Sequence, residues 1–187
     1  MGKRSVWHHP FLSLFLSAHV CAVAWLSVSC AAPATLPGTS LGTYNVTGTL
    51  GTNTCGAGLG APSPWTFTTQ MSEDGTTLYW ETSEGTELSG TMSSATEVSI
   101  SSILTANVDT TEAGVLGPCD LQNTTVLDLA LAAGASPTSF TGTITYTFSA
   151  ATGVSSSVNC TDQLSASGGP YDTLPCTASY SLAGTQQ

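Results

Sequence analysis

Beyond His19 the chain contains no lysine, arginine or histidine. Its cations are Lys3, Arg4, His8, His9 and His19, whereas its 12 carboxylates run from Glu73 to Asp172. Removal of the N-terminus would leave acids without bases, and several chemistries fall away with the bases. Nucleic-acid binding depends on cationic side chains that neutralise phosphates, so it is excluded. Ser–His and Cys–His nucleophiles have no base, and Schiff-base chemistry has no lysine. Phosphoryl transfer has no cationic clamp. An anionic lipid surface repels such a domain, and uncompensated charge adds self-repulsion to the fold. C-x-x-C pairs and an EF-hand pattern are also missing, as are the "DTG" and "DSG" of an aspartic dyad; the cysteines therefore do not read as a zinc site, and no cofactor is implied.

The basic start is followed by a mostly apolar run from Phe11 to Val28 and by small residues around Cys30. That order is the layout of a secretory signal peptide over residues 1–29. The run is also about long enough for an uncleaved membrane anchor. "LSVSC" (26–30) resembles a bacterial lipoprotein signal, with Ser29 before the cysteine and Leu26 one place outside its usual position. The resemblance implies acylation of Cys30 and a membrane contact through the N-terminal lipid. With no acidic residue directly after Cys30, it also implies sorting to the outer membrane. Cleavage after Ala31 would instead give a secreted protein. "AAPATLPGTS" is uncharged and rich in small residues, so residues 30–40 read as a flexible, lipid-anchored tether before a domain over 41–187.

Outside the leader and Cys30 remain Cys55, Cys119, Cys160 and Cys176. Four cysteines in an exported domain suggest two disulfides, with three possible connectivities. Loop closure favours Cys160–Cys176 around a Gly/Pro-rich segment, with Cys55–Cys119 as the longer link.

No segment shows a helical period with caps; alternation of period two recurs instead. Tyr44, Val46, Gly48 and Leu50 share one face in 41–50, and Trp65, Phe67, Thr69 and Met71 share one in 65–71. "SEDG" turns into "TLYWE", and "SEG" turns into "TELSGTM", with Leu88, Gly90 and Met92 aligned. Strands follow at 96–104, 124–131, 139–148 and 176–182; "DLALAAGA" could alternatively form a short helix. About eight closely spaced strands predict an all-β, antiparallel up-and-down meander closed as a barrel or packed as a sandwich. "TGTL", "SGTM" and "TGTI" each put a glycine in a core-facing row, which calls for a sharp corner or a close backbone approach.

The "GTY" start and the meander order resemble lipocalin-like (calycin) barrels, which normally carry Trp where Tyr44 stands. Over its full length the chain resembles bacterial envelope lipoproteins with a Cys-stapled β domain, a family that brings no activity with it. The expected function is a non-enzymatic envelope lipoprotein with a structural or interaction role. One alternative is a carrier holding a small apolar ligand in a lumen lined by Tyr44, Trp65, Phe67, Trp80, Phe140, Tyr146 and Tyr180, residues that could equally fill a core. Another is a weak glycosidase using Glu81, Glu84 and Glu87 beside Trp80. A third is calcium-dependent binding through Glu73, Asp74, Glu84, Glu87, Asp109 and Glu112 in turns. The N-x-T triplets at Asn45, Asn123 and Asn159 read as chance behind a bacterial leader.

Overall fold

A computed structural model describes residues 35–82, 85–108, 119–151, 160–165 and 170–187. The leader, Cys30, the start of the tether, Glu84, Asp109, Glu112, Asn159 and the Cys119 side chain lie outside the described residues. Eight antiparallel strands form a closed barrel in sequence order: β1 (Thr39–Asn53), β2 (Trp65–Asp74), β3 (Thr77–Glu81), β4 (Glu87–Met92), β5 (Glu97–Val108), β6 (Cys119–Leu131), β7 (Ser139–Ala150) and β8 (Cys176–Gln186). β1 closes the circle by pairing with β8 from Tyr44↔Gln186 to Asn53↔Ala178. The barrel alternative therefore holds over the sandwich. "DLALAAGA" continues β6 as far as Leu131 rather than forming a helix. Its Leu127, Leu129 and Leu131 are buried at every second position, the period of a strand with one face inside.

The same alternation sorts much of the wall into an apolar inner row and a polar outer row. Tyr44 and Val46 are buried while Asn45, Thr47 and Thr49 are exposed. β7 repeats the pattern, with Phe140 and Ile144 inside and Thr141 and Thr143 outside. Threonine suits these outer positions because its branched side chain fits a pleated, half-solvated surface.

The inner-row glycines answer the question their recurrence posed. A side chain at Gly90 or Gly142 would collide with the backbone carbonyl of Ser99 or Asp128 on the neighbouring strand. At Gly48 it would press on the Trp65 ring at 3.3 Å, and at Gly184 it would enter the Phe140 ring. Large rings thus lie over strand positions left empty for them.

One lower cluster fills the barrel from Leu41, Tyr44, Met71, Leu78, Trp80 and Phe140 up to Ile144 and Tyr180. A second, upper cluster gathers Cys55, Leu121, Cys160, Leu164, Leu174 and Cys176. It is built by the short helix α1 (Cys160–Leu164), which no periodicity signalled, and by the segment entering β8. β1 begins at Thr39, so the last residues of the stretch read as tether belong to the wall; the Pro37 carbonyl also accepts a bond from Ser72 Oγ at 2.6 Å.

The disulfide pairing differs from expectation. Cys55 is bonded to Cys176, with their Cα atoms 4.9 Å apart, which excludes both Cys160–Cys176 and Cys55–Cys119. The reason is tertiary. Cys55 stands two residues past the end of β1 and Cys176 opens β8, and the β1–β8 ladder brings these two ends together, with Thr54 N–H donating to Thr177 O at 2.8 Å. Proximity along the chain favoured the shorter loop, whereas barrel closure favours a link across 121 residues.

Because so long a loop is constrained, the Cys55→Ala/Cys176→Ala double variant should lose roughly 3–5 kcal/mol of unfolding free energy. Urea unfolding at equilibrium measures this; a loss below about 1 kcal/mol would show that the ladder closes the barrel without the covalent link.

Candidate functional site

All seven aromatic residues expected to line a lumen project inward, and they divide into two groups. Tyr44, Trp80, Phe140 and Tyr180 are buried, at most 5 % exposed. Trp80 meets Phe140 edge-on with centroids 5.6 Å apart, and Phe140 meets Tyr44 at 5.5 Å. These rings are packing, and they make the closed floor of the barrel. Trp65, Phe67 and Tyr146 are only partly buried on top of that floor. Trp65 lies 4.3 Å from Phe67 and 5.2 Å from Tyr180, centroid to centroid, so a continuous aromatic wall rises out of the core.

What exposes this wall is the unequal length of the strands. β3 and β4 have 5 and 6 residues, whereas β5 and β6 have 12 and 13. β4 pairs with β5 only where Gly90–Met92 meets Val98–Ile100, while β5 runs beside β6 along its whole length. β2 likewise meets β3 only from Met71↔Trp80 to Asp74↔Thr77. The β3–β4 hairpin is therefore a low section of wall, and the strands on either side stand above it. Leu104 shows the consequence. By parity it belongs to the inner row of β5, with Val98 and Ile100, yet it is 59 % exposed. Its outward neighbour Ile103 is 62 % exposed. Sequence reasoning missed Leu104, because its exposure depends on the length of β4 and not on any local pattern.

Above the floor the inner rows turn polar. Ser102, Thr125, Tyr146 and Ala178 stand side by side across β5 to β8, and the next row up is Leu104, Asn123, Phe148 and Cys176. The first of these rows meets the lower cluster through Tyr146, and the second joins the upper cluster through Phe148 and Cys176. Asn123 Oδ1 is buried with no hydrogen-bond partner, the one such side-chain atom among the described residues. Its N-x-T triplet had marked it only as a glycan acceptor, a role that an inward-facing side chain cannot serve in the folded barrel.

The carboxylates sit elsewhere. Glu81 and Glu87 oppose each other directly across β3 and β4, on the outer face. Trp80, next in sequence to Glu81, is 2 % exposed inside the barrel, so it cannot stack on a sugar held by that glutamate. Glu81 instead borders a polar pocket of about 250 Å³ outside the wall, with Thr43, Thr68, Gln70 and Thr82. Among the described residues, no three of His, Cys, Asp and Glu come together as metal ligands.

Searches of protein-family models, of curated proteins and of solved structures each gave no match to this chain.

The floor is closed by a polar anchor. Tyr44 is fully buried, and its single O–H proton is shared between Pro137 O at 2.5 Å, in the loop before β7, and Leu41 O at 3.1 Å, at the start of β1. Burial raises the Tyr44 pKa above its ordinary value of 10.0, and raises those of Tyr171 and Tyr180 in the same direction. Phenol groups held neutral in the folded state stabilise it fully below pH 10 and lose that contribution as pH rises through the folded pKa. Tyr44→Phe should cost about 1–2 kcal/mol at neutral pH, because two carbonyls lose their donor. It should also flatten the fall of stability above pH 10. Denaturant melts from pH 7 to 11 test both, and an unchanged alkaline limb would remove Tyr44 from the account.

Proposed function

We propose that this chain is an exported, non-enzymatic binding protein of the bacterial cell envelope, anchored through acylated Cys30, whose barrel carries a small apolar ligand above its aromatic floor. One observation carries the binding reading: Leu104 faces inward and stands 59 % exposed over the low β3–β4 wall, in a barrel whose Trp65, Phe67 and Tyr146 are only part-buried. Apolar side chains on an inner row are normally covered, and those left open in the mouth of a barrel mark a place for a ligand. An eight-stranded barrel can either be filled by its own side chains or hold one small molecule. Here the two outcomes share one barrel, filled below and open to one side above.

The outer wall supports a location in water beside the membrane rather than within it. Its exposed rows are Thr, Ser and Asn, where a lipid-facing barrel carries an apolar band. With no base among the described residues, the domain has nothing to offer an anionic surface, so the membrane contact rests on the N-terminal lipid. Cys160 is disulfide-bonded, and Cys119 is the partner consistent with cysteine parity once Cys55 and Cys176 are paired. A protein-interaction role is the second reading, favoured by the exposed Ile103 on the stretch of β5 that β4 does not cover.

The full chain, expressed so that processing can occur and purified from envelopes, should bind pyrene at micromolar concentration. Trp65→Ala and Phe67→Ala should each weaken that binding about tenfold. Fluorescence titration reads this, and absence of pyrene binding would refute the carrier. Native spectra of the same sample read the second reading, through a complex that Ile103→Lys dissolves; a monomer throughout removes it.

The intact mass of that material should show an acylated Cys30 and two disulfides among the remaining four cysteines. A mass without fatty acid refutes the anchor, and thiol-reactive Cys119 and Cys160 refute the second pairing.

A further inference from the structure

We propose that the ligand of this barrel is an uncharged or cationic amphiphile with a hydrogen-bond donor at one end, and that Asn123 Oδ1 receives that donor. The inference rests on the carrier reading and specifies its chemistry. A buried amide oxygen without a partner is costly to keep, because folding has stripped its water and returned nothing. Asn123 Oδ1 is such an atom, and its position is informative. It stands in an inner row beside Leu104 on β5 and Phe148 on β7, one row above Ser102, Thr125 and Tyr146. Leu104 is the residue that the low wall leaves open. An exposed apolar side chain and a buried acceptor without a protein partner therefore occupy adjacent strands.

The polarity of the ligand's head follows from what surrounds it. An acceptor selects a donor, so a hydroxyl, amine or amide N–H is favoured over an ether or ester oxygen. A carboxylate or phosphate is selected against twice. It would set an anion against Asn123 Oδ1, and no Lys, Arg or His among the described residues could neutralise it. A fatty acid or phospholipid headgroup is thus excluded as the occupant of this position, whereas a long-chain alcohol, an amide or an amine fits. The acidic body adds long-range attraction for the cationic member of that set.

The experiment compares three probes of one shape: anthracene without a donor, 1-aminoanthracene with one, and anthracene-1-carboxylate with an anion. The full-length protein, allowed to mature, should bind 1-aminoanthracene roughly tenfold more tightly than anthracene, and the carboxylate most weakly. Asn123→Leu should abolish that tenfold preference, so that anthracene and 1-aminoanthracene bind alike. The same substitution should raise Tm by roughly 2–4 °C, because it removes an unpaired acceptor from the interior. Equal affinity for anthracene and 1-aminoanthracene, or an Asn123→Leu variant that weakens both alike, would overturn the inference and leave the carrier standing. Preferred binding of the carboxylate would overturn it as well. If none of the three binds, the carrier reading falls and this inference falls with it.

Discussion

The ladder between β1 and β8 is the constraint on which the rest of this protein depends. It joins the first and last strands of the domain, from Tyr44↔Gln186 to Asn53↔Ala178, and turns a meander with two open edges into a wall with none. Closure has to be made against the chain entropy of nearly the whole domain, and it is held at both ends of the seam. At the lower end Gln187 N–H donates to Thr43 O, and Gln186 Nε2 donates to Leu41 O. At the upper end the Cys55–Cys176 link crosses the same seam. A domain with no cation among its described residues has no side-chain ion pairs to draw on, so ladder, disulfide and core packing carry the load together.

Closure also divides the interior. Long aromatic rings at Trp80, Phe140, Tyr44 and Tyr180 need space, and the inner glycines provide it where neighbouring backbone or rings come closest. Below, this gives a buried, mostly apolar floor. Higher up, the inner rows become Ser102, Thr125 and Asn123, and the packing stops being purely apolar. The upper cluster, with α1 and the approach to β8, packs against the upper ends of β5, β6, β7 and β8 and the residues after β1. The short β3–β4 hairpin leaves the other side lower. The resulting asymmetry is what the proposed site rests on, because it leaves Leu104 exposed on an inner row.

Much of the candidate site was legible in the chain. Period-two alternation put Tyr44, Trp65, Phe67, Phe140, Tyr146 and Tyr180 on the aligned faces of their strands, and Trp80 joined them only as a candidate lining residue. The folded barrel places all seven inside. Which of them pack and which remain part-open was not legible, because that depends on the height of the wall opposite each ring. Leu104 lay unmarked for the same reason, and Asn123 was noted only for its N-x-T triplet. Their strands looked ordinary, and their significance comes from β4 ending short and from an acceptor left unpaired across three strands.

The sequence by itself determined the strands, the faces of those with clear alternation (41–50, 65–71, 139–148 and 176–182), the up-and-down order and the concentration of all cationic residues at the N-terminus. These follow from local alternation, turn residues and composition, which act over a few residues at a time. Only the tertiary structure decided that the meander closes, that Cys55 meets Cys176, and where the interior stays open. Those outcomes depend on which strand ends become neighbours after closure and how far each strand extends, and no local pattern carries that information.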